Sequence, residues 1–496
     1  MARLREVDRG APAERKLLVL SDLHLGRDHD PITGFDHHRP SPEFDQNFIA
    51  LLEYYTSEEP ESWRVVLDGD FLDFVEVVVR PELDTALKVA FEVTREEHTL
   101  GLGTEPERAK VKLDMIVDYH VGFFTALARF VREGGELVMV RGNHDAEMFW
   151  GKVQRELRRR LAQLAFAGQR LELDDLLEER SQFQGRIQFV PWCYVEPGRI
   201  YIEHGHQYDP YCAFDHQLYP ISPLSPRRVD TPIFMFAMRY FVNRLTGFAT
   251  HYKDIWTTKD YLRWLRSLGP VGMAKTFWMA GEASARMVHY AAAFWLGRAV
   301  GYGDEHDRRL AEEAERFEVP EARLRRIDDL HSTPVNRNLP ELMRFLFLDR
   351  LLLGLGTIAA MGVGIFAFES SWLELGAVLL ALFAGWFIHG RMTPRRFLLP
   401  GPRQVSAARR IADILGVKVV VMGHSHQRRK TDLGEGRYYV NTGCWLPPFN
   451  TEPHGEDEPC TCNLSHLVVE GTHPDLRIFC RVKRVPRAPA SARPAA

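Results

Sequence analysis

The stretch KLLVLSDLHLG at residues 16–26 has a pattern that recurs along the sequence. An apolar run is followed directly by Ser21, Asp22 and His24, which are polar residues of the kinds that bind cations. Apolar runs of this length indicate short buried strands, and the polar residues after them are expected on loops at the strand ends. Open α/β sheets bind ligands at the carboxyl ends of their strands. The stretch therefore predicts an α/β fold with a binding site at one edge of a sheet.

Four further segments combine Asp, Asn or His with Gly or Ser, and four of the five segments directly follow an apolar run. The further segments are Asp68-Gly69-Asp70-Phe71-Leu72-Asp73, Gly142-Asn143-His144-Asp145, His204-Gly205-His206 and Gly423-His424-Ser425-His426. Loops of this kind bring carboxylates, an amide oxygen and several imidazoles to one edge. This mixture suits Mn, Fe, Zn, Co or Ni, and it is too rich in nitrogen for a Ca or Mg site.

The ordered set resembles the motifs of the calcineurin-like metallophosphoesterases, which run D-x-H, G-D-x-x-D, G-N-H-D/E, an isolated His before Gly, and G-H-x-H. The resemblance covers about residues 16–205 and the chain from 417 to the last strands. It implies a sandwich of two mixed β-sheets flanked by helices. It also implies a dinuclear metal-dependent hydrolase of phosphate ester or pyrophosphate bonds.

The resemblance further implies a ligand for each metal position. One metal is expected on Asp22, His24 and His426, and the other on Asn143, His204 and His424, with Asp70 bridging the two. Two divalent ions roughly 3.5–4 Å apart can activate water and stabilise both oxygens of an in-line displacement. Manganese is the expected metal, with Fe, Zn, Co or Ni as alternatives.

Other polar residues near the motifs are expected to assist the reaction. By the resemblance, His144 protonates the leaving oxygen or stabilises the transition state, and Asp145 orients its ring. Asp73 and His206 are candidates for groups that hold the ligands, although an isolated Asp is more often a local cap and an isolated His more often structural. Guanidinium groups bind phosphate through two parallel hydrogen bonds, which makes the flanking residues Arg27 and Arg141 candidates for substrate binding.

A long insert separates the two parts of the predicted core. The predicted limits are 16–206 and 405–482 for the core, 207–404 for the insert, and 483–496 for a disordered tail. The insert contains an aromatic and basic stretch at about 231–300, which is predicted either as helices at a membrane interface or as the core of a helical domain. A strongly charged stretch follows at 303–338 and is predicted as exposed helix and loop.

Two apolar runs within the insert predict a hydrophobic helical hairpin over 351–388. Residues 351–368 contain no charge, and residues 372–388 contain only Glu374. A helix of 18 residues is about 27 Å long, which is just enough to span a bilayer core. A hairpin buried in a soluble cap and a re-entrant hairpin remain alternatives.

The charges around the hairpin predict its orientation. Its outer flanks are basic, with Arg344 and Arg350 before it and Arg391, Arg395 and Arg396 after it, and this places both ends on the cytoplasmic side. Residues 1–16 have no apolar core or cleavage signal, so a secretory signal peptide is not expected. We therefore expect a membrane-associated protein with its catalytic domain in the cytoplasm.

The net charge and the cysteine content limit the classes of partner that we expect for this protein. The net charge of −4 provides no global basic field for nucleic-acid binding, and six cysteines at irregular spacing do not indicate a secreted disulfide framework. No obligate protein partner is evident.

The Ser-Asp-Leu-His-Leu-Gly segment is similar to that of UDP-2,3-diacylglucosamine hydrolases, although this chain has Gly-Asn-His-Asp where that branch commonly has Arg in place of the His.

These features predict a membrane lipid or lipid-linked phosphate as substrate. One alternative is a phosphodiesterase or nuclease that acts on a soluble nucleotide or nucleic acid and uses the hairpin only as an anchor. The other is a non-catalytic membrane scaffold.

Overall fold

The computed structural model describes residues 14–26, 42–81, 88–169, 172–245, 258–298, 300–367, 370–392, 400–445 and 464–479. Its strands are β1 (Lys16–Leu20), β2 (Trp63–Asp68), β3 (Glu136–Val140), β4 (Ile187–Val190), β5 (Cys193–Glu196), β6 (Ile200–Glu203), β7 (Ile221–Ser222), β8 (Ser225–Val229), β9 (Val419–Met422), β10 (Arg429–Gly434), β11 (Arg437–Asn441), β12 (Leu464–Glu470) and β13 (His473–Phe479). Its α-helices are α1 (Pro42–Thr56), α2 (Arg95–Leu100), α3 (Pro106–Tyr119), α4 (Val121–Arg132), α5 (Gly151–Ala165), α6 (Leu173–Gly185), α7 (Ile233–Tyr240), α8 (Thr258–Ser267), α9 (Gly269–Trp295), α10 (Tyr302–Arg316), α11 (Glu321–Asp328), α12 (Leu339–Phe345), α13 (Leu348–Phe366), α14 (Ser371–Met392) and α15 (Pro400–Leu415). The predicted tail at 483–496 lies outside the described residues.

The strands form two mixed sheets, which confirms the predicted fold class. The first sheet has six strands in the order β13-β12-β1-β2-β3-β4, and β1 to β4 run parallel to one another. The second has five strands in the order β10-β11-β9-β6-β5, with β6, β9 and β11 parallel. The antiparallel pairs are β12 with β1 and with β13 in the first sheet, and β10 with β11 and β5 with β6 in the second. A small hairpin of β7 and β8 stands apart from both sheets.

The central strands are apolar on both faces because both faces are covered. On β1, Leu17 and Val19 belong to the hydrophobic cluster that the two sheets share. Leu18 and Leu20 belong instead to the cluster under helices α1, α3, α4 and α5. Successive side chains of a strand point to opposite faces, so a strand buried on both sides appears in the sequence as a continuous apolar run.

Part of the predicted insert is built into the same core. Leu310 of α10 and Leu324 of α11 are buried in the cluster of the second sheet, together with Ile411 of α15. The prediction of an exposed stretch at 303–338 is therefore wrong for one face of these helices. The charges that suggested it lie on the other face, where the Arg308 and Glu312 side chains are 56% and 57% exposed. The limits of the insert stay a prediction.

The aromatic stretch of the insert has a buried part and an exposed part. Phe236 of α7 and Tyr290 of α9 are buried in a separate hydrophobic cluster with Leu342 of α12. Phe277 and Trp278 on α9 are 65% and 77% exposed. The stretch therefore forms a helical core, as one interpretation held, and also presents aromatic rings on its surface.

Helices α13 and α14 form an apolar hairpin that the rest of the described protein leaves uncovered. The helical segments Leu348–Ala367 and Ser371–Met392 are long and apolar enough to cross a membrane. Only 6% of the most apolar stretch of the first segment is buried, and none of that of the second. Small residues bring the two helices together, since a Cβ on Gly364 would lie 2.8 Å from Ala377 Cβ. A hairpin buried in a soluble cap would have most of this surface covered, so that alternative does not fit the described residues.

Candidate metal centre

All five sequence motifs follow strands at their carboxyl ends. Asp22, Asp70 and Asn143 come after the parallel strands β1, β2 and β3 of the first sheet, and His204 and His424 come after β6 and β9 of the second. The loops of both sheets meet at this edge. Side-chain atoms of the motif residues that could bind a cation lie within 4.8 Å of one another in three overlapping groups: Asp22 with His24 and His426, His24 with Asp70 and His144, and Asp70 with His204 and His424.

The loops hold most of these residues in a backbone conformation that side chains rarely adopt. Five of the eight non-glycine residues with positive φ in the described chain are predicted ligands, namely Asp22 (53°), His24 (48°), Asp70 (49°), His424 (66°) and His426 (57°). Residues held in this left-handed region cost free energy, and they cluster at functional sites where the surroundings enforce them. The D-x-H and H-x-H pairs therefore reach one site from left-handed loop backbone.

The first ligand group is Asp22, His24 and His426. Nε2 of His426 lies 3.3 Å from Oδ1 of Asp22 and 3.3 Å from Nε2 of His24. Nε2 of His24 is 3.9 Å from the same Asp22 oxygen. Two imidazole nitrogens and one carboxylate oxygen at these separations are suited to three positions around one divalent cation.

The second ligand group is Asp70, His204 and His424, with Asn143 nearby. Nδ1 of His204 donates to the Asp68 carbonyl at 2.9 Å, which leaves Nε2, 3.0 Å from Oδ2 of Asp70, as the nitrogen for a metal. Oδ1 of Asn143 is buried without a hydrogen-bond partner. A buried amide oxygen without a partner is costly, and a cation would satisfy it. Asp70 is also grouped with His24, a member of the first ligand group, so it lies near both groups. Its role as the bridging ligand stays a prediction.

Glycines make the close approach of these loops possible. A Cβ on Gly142 would lie 2.2 Å from Oδ1 of Asp70, and one on Gly423 would lie 2.4 Å from Oδ2 of Asp22. A Cβ on Gly69 would lie 2.5 Å from the His204 ring. Any side chain at these three positions would displace a predicted ligand.

Asp73 is the carboxylate that orients His144. Its Oδ2 lies 3.0 Å from Nδ1 of His144 and 3.1 Å from Nδ1 of His24. Since an ionised carboxylate only accepts hydrogen bonds, both rings carry hydrogen on Nδ1. Nε2 of His24 is then the ligand nitrogen, and Nε2 of His144 is the atom that can exchange a proton with a substrate.

The prediction that Asp145 orients His144 is therefore wrong. The Asp145 carboxylate accepts from the backbone N–H of Gly142 at 2.6 Å and of Phe71 at 3.1 Å. It ties the loop after β3 to the loop after β2. Burial, together with the nearby charge of Asp70, raises the pKa of Asp145 to about 7.

Asp209 supports His424, and the sequence analysis missed it. Its Oδ2 lies 3.1 Å from Nε2 of His424, and its Oδ1 accepts from the Tyr211 N–H at 3.0 Å. Carboxylates commonly hold the second nitrogen of a metal-bound histidine in this way, so Nδ1 of His424 is the nitrogen available to a metal. The only signal in the sequence is an Asp five residues after His204.

Charges within the site are arranged to favour ionised carboxylates. Burial raises the pKa of Asp22 and Asp70, but the nearby histidines, His204 foremost, together outweigh it, and the pKa of Asp70 falls well below its usual value. Burial lowers the pKa of His24, and the charge of His144 lowers it further, so that His24 stays neutral as a ligand must.

His144 has the opposite shift. Burial lowers the pKa of His144, but the carboxylates of Asp73 and Asp70 outweigh this and raise it to about 9. The ring is therefore protonated at neutral pH, the state that a proton donor needs.

His206 is buried beside His204, with ring centroids 5.5 Å apart, and burial together with the charges of His204 and His424 lowers its pKa well below the usual value.

Of the two arginines that were predicted to bind substrate, the structure describes only Arg141. Arg27 lies outside the described residues. Arg141 is 4% exposed, donates from Nη2 to the Gln217 carbonyl, and lies 5.9 Å from the Phe149 ring centroid. Burial lowers its pKa to about 10. In this placement the guanidinium is packed inside the protein, and its role in substrate binding stays a prediction.

Comparison with known proteins agrees with this site. The family model of the calcineurin-like phosphoesterases matches residues 15–234, a span that includes the motifs from Asp22 to His204. The matched part of the chain is a calcineurin-like phosphoesterase domain, which is that of a metallophosphoesterase, a hydrolase that works with divalent metal ions. None of the curated proteins matches the chain. The similarity to UDP-2,3-diacylglucosamine hydrolases stays a prediction.

The contact between Asp209 and His424 makes a prediction about metal affinity. Asp209→Asn removes the charged acceptor at Nε2 of His424, and we expect affinity for the second metal to fall about 10- to 100-fold. Equilibrium dialysis against graded Mn²⁺, with metal counted per chain, measures this. Asp215→Asn is the matched control, because Asp215 pairs with Arg337 at 2.7 Å and contacts none of the ligands. Unchanged Mn²⁺ binding by the Asp209 variant would show that Asp209 does not support the site.

Proposed function

We propose that the protein is a membrane-anchored dinuclear metallophosphoesterase, with manganese as its preferred metal, that hydrolyses the phosphate ester or pyrophosphate of an amphiphilic substrate. The observation that carries the proposal is the combination, in one chain, of the candidate metal centre and an uncovered apolar hairpin. The catalytic domain would face the cytoplasm.

The residues of the metal centre would divide the chemical work. Two divalent cations, when bound, supply a nucleophilic hydroxide and stabilise the charge of the phosphoryl group. Asp22, Asp70 and the imidazoles around them would hold these cations. The His144 ring, fixed through Nδ1 by Asp73 at 3.0 Å, donates a proton from Nε2 to the leaving oxygen. Protonation of that oxygen matters most when the leaving group is a poor one.

The hairpin supports membrane anchorage through its exposed apolar surface. Leu352, Phe366, Trp372 and Trp386 are between 56% and 90% exposed. In water, such a continuous apolar surface would be covered by a partner or would cause aggregation. A lipid bilayer covers both helices at once, and positive charge at the outer ends favours the cytoplasmic side for both of them.

A short packed path joins the hairpin to the metal centre, and this favours an amphiphilic substrate. Asp209 contacts the ligand His424, and Tyr211, two residues later, packs against Phe345 with ring centroids 5.6 Å apart. Phe345 ends α12, and α13 begins at Leu348. A substrate with its phosphate at the metals would therefore have its apolar part close to the membrane.

A soluble substrate is the second candidate, and one observation favours it. A pocket of about 400 Å³ lies between α7, α9 and the β7–β8 hairpin, and it is lined by Glu96, Arg228, Arg239 and Arg286 among hydroxyl and aromatic side chains. A pocket of this volume and polarity would suit a small polar molecule. On this alternative the hairpin is only an anchor. The scaffold alternative is set aside, since none of the seven predicted ligands is missing.

The roles of Asp70 and His144 predict different consequences of their removal. Asp70→Asn should abolish hydrolysis and weaken both metal sites, because the bridging charge is lost. His144→Ala should retain both metals and lose about 10²- to 10⁴-fold in kcat. Metal content and hydrolysis of a chromogenic diester measure both effects, and His473→Ala at the exposed start of β13 is the control. Full activity after Asp70→Asn, or loss of metal after His144→Ala, would contradict these roles.

Membrane anchorage predicts where the protein is found in a fractionated cell. The intact chain should sediment with membranes and resist a high-salt wash, because apolar burial does not weaken with ionic strength. Deletion of residues 351–388 should move it to the soluble fraction. Recovery of the intact protein in the soluble fraction without detergent would contradict the proposal.

An amphiphilic substrate predicts a dependence on chain length. Each methylene that is buried on binding contributes roughly 0.8 kcal/mol, so kcat/KM should rise steeply across substrates that share a headgroup and differ in acyl length. The hydrolysis rate of the Asp70→Asn variant on the same substrates gives the background rate to subtract. A flat series, or a preference for a water-soluble nucleotide, would favour the second candidate.

A further inference from the structure

A pocket with a volume of about 290 Å³ lies at the base of the hairpin. It is lined by Arg344 of α12 and by Phe387, Ile388, Arg391 and Met392 of α14. It occurs at the level where α13 begins and α14 ends. It is therefore at the end of the apolar helices from which the chain returns to the catalytic domain.

Among the described residues, the lining combines two cations with an apolar wall and contains no carboxylate. The Arg391 guanidinium carbon lies 4.9 Å from the Phe387 ring centroid, which holds this cation at the edge of the apolar surface. Guanidinium groups bind phosphate oxygens through paired hydrogen bonds. The side chains of Phe387, Ile388 and Met392 suit the glycerol and first methylenes of a lipid.

Arg350 contacts two nearby groups that would oppose an anion. Its Nη1 lies 2.8 Å from the His389 oxygen, one of the carbonyls at the carboxyl end of α14. Its Nε lies 3.9 Å from Asp349 of α13. Arg350 therefore partly offsets these two groups.

We propose that this pocket binds the headgroup of an anionic phospholipid. The inference rests on the proposed membrane anchorage, under which the ends of α13 and α14 lie at the level of the lipid phosphates. Phe345, which follows Arg344 in α12, packs on Tyr211, so α12 connects the pocket to the segment that carries Asp209. The lipid would therefore fix the base of the hairpin next to the metal centre.

Thermal unfolding of the full-length protein in neutral detergent micelles tests this, because a ligand that binds the folded state raises Tm. The probes are phosphatidylglycerol, phosphatidylcholine and inorganic phosphate. Phosphatidylglycerol should raise Tm saturably, and the other two should not. R344Q/R391Q should bind phosphatidylglycerol about 10- to 30-fold more weakly. R308Q/R325Q, which removes two exposed arginines of α10 and α11, is the matched control and should respond as wild type.

Three results would overturn the inference. They are an equal response to phosphatidylcholine, an equal response to inorganic phosphate, and a wild-type response of R344Q/R391Q. Should the glutamine variant fail to fold, R344K/R391K decides, since lysine keeps the charge and loses the paired hydrogen bonds. An unchanged affinity of that variant would also contradict the site. Recovery of the wild type without detergent would instead reject membrane anchorage itself, whereas a membrane-bound wild type that does not respond to phosphatidylglycerol would reject the headgroup site alone.

Discussion

The structure depends on the burial of two carboxylates, Asp22 and Asp70, at the meeting point of the two sheets. Both are 1% exposed or less, and a buried carboxylate is tolerated only with positive charge or hydrogen-bond donors in contact. Here the donors are imidazoles and backbone N–H groups, including those of His144 and His424. The left-handed loop residues and the glycines beside them follow from this requirement, since they bring backbone from both sheets within reach of two oxygen pairs.

The same crowding gives two similar histidines different protonation states. His24 and His144 lie with ring centroids 4.6 Å apart and share the Asp73 oxygen. Two charged rings at that distance repel each other, so one carboxylate does not support both charges. The pKa of His144 rises while that of His24 falls. A neutral ring suits a metal ligand and a charged ring suits a proton donor, so one shared carboxylate separates the two functions.

The parts of this protein that could be predicted from sequence are those that local pattern determines. The strand at β9 and the loops after β1, β2 and β3 were predictable because apolar runs and the polar residues after them are consecutive in the chain. The pairing of His144 with Asp73 instead of Asp145 was not predictable, because it depends on how the loop after β2 folds back onto the loop after β3. Asp209 and the buried face of α10 were missed for the same reason: their partners are distant in sequence and their own surroundings are polar.

The hairpin raises a different constraint, because its apolar surface is almost entirely exposed in the described chain. Helices α13 and α14 pack against each other through small residues, and the described chain provides little else to cover them. Yet α12, which precedes them, is anchored by Leu342 in the same cluster as Phe236 of α7, and the neighbouring Met235 contacts Asn143, with 3.6 Å between Met235 Sδ and Asn143 Nδ2. A tilt of the hairpin relative to the core would therefore disturb α12 and α7 together, and α7 touches a predicted ligand. Attachment at this point keeps the orientation of the apolar hairpin and the geometry of the metal centre from varying independently.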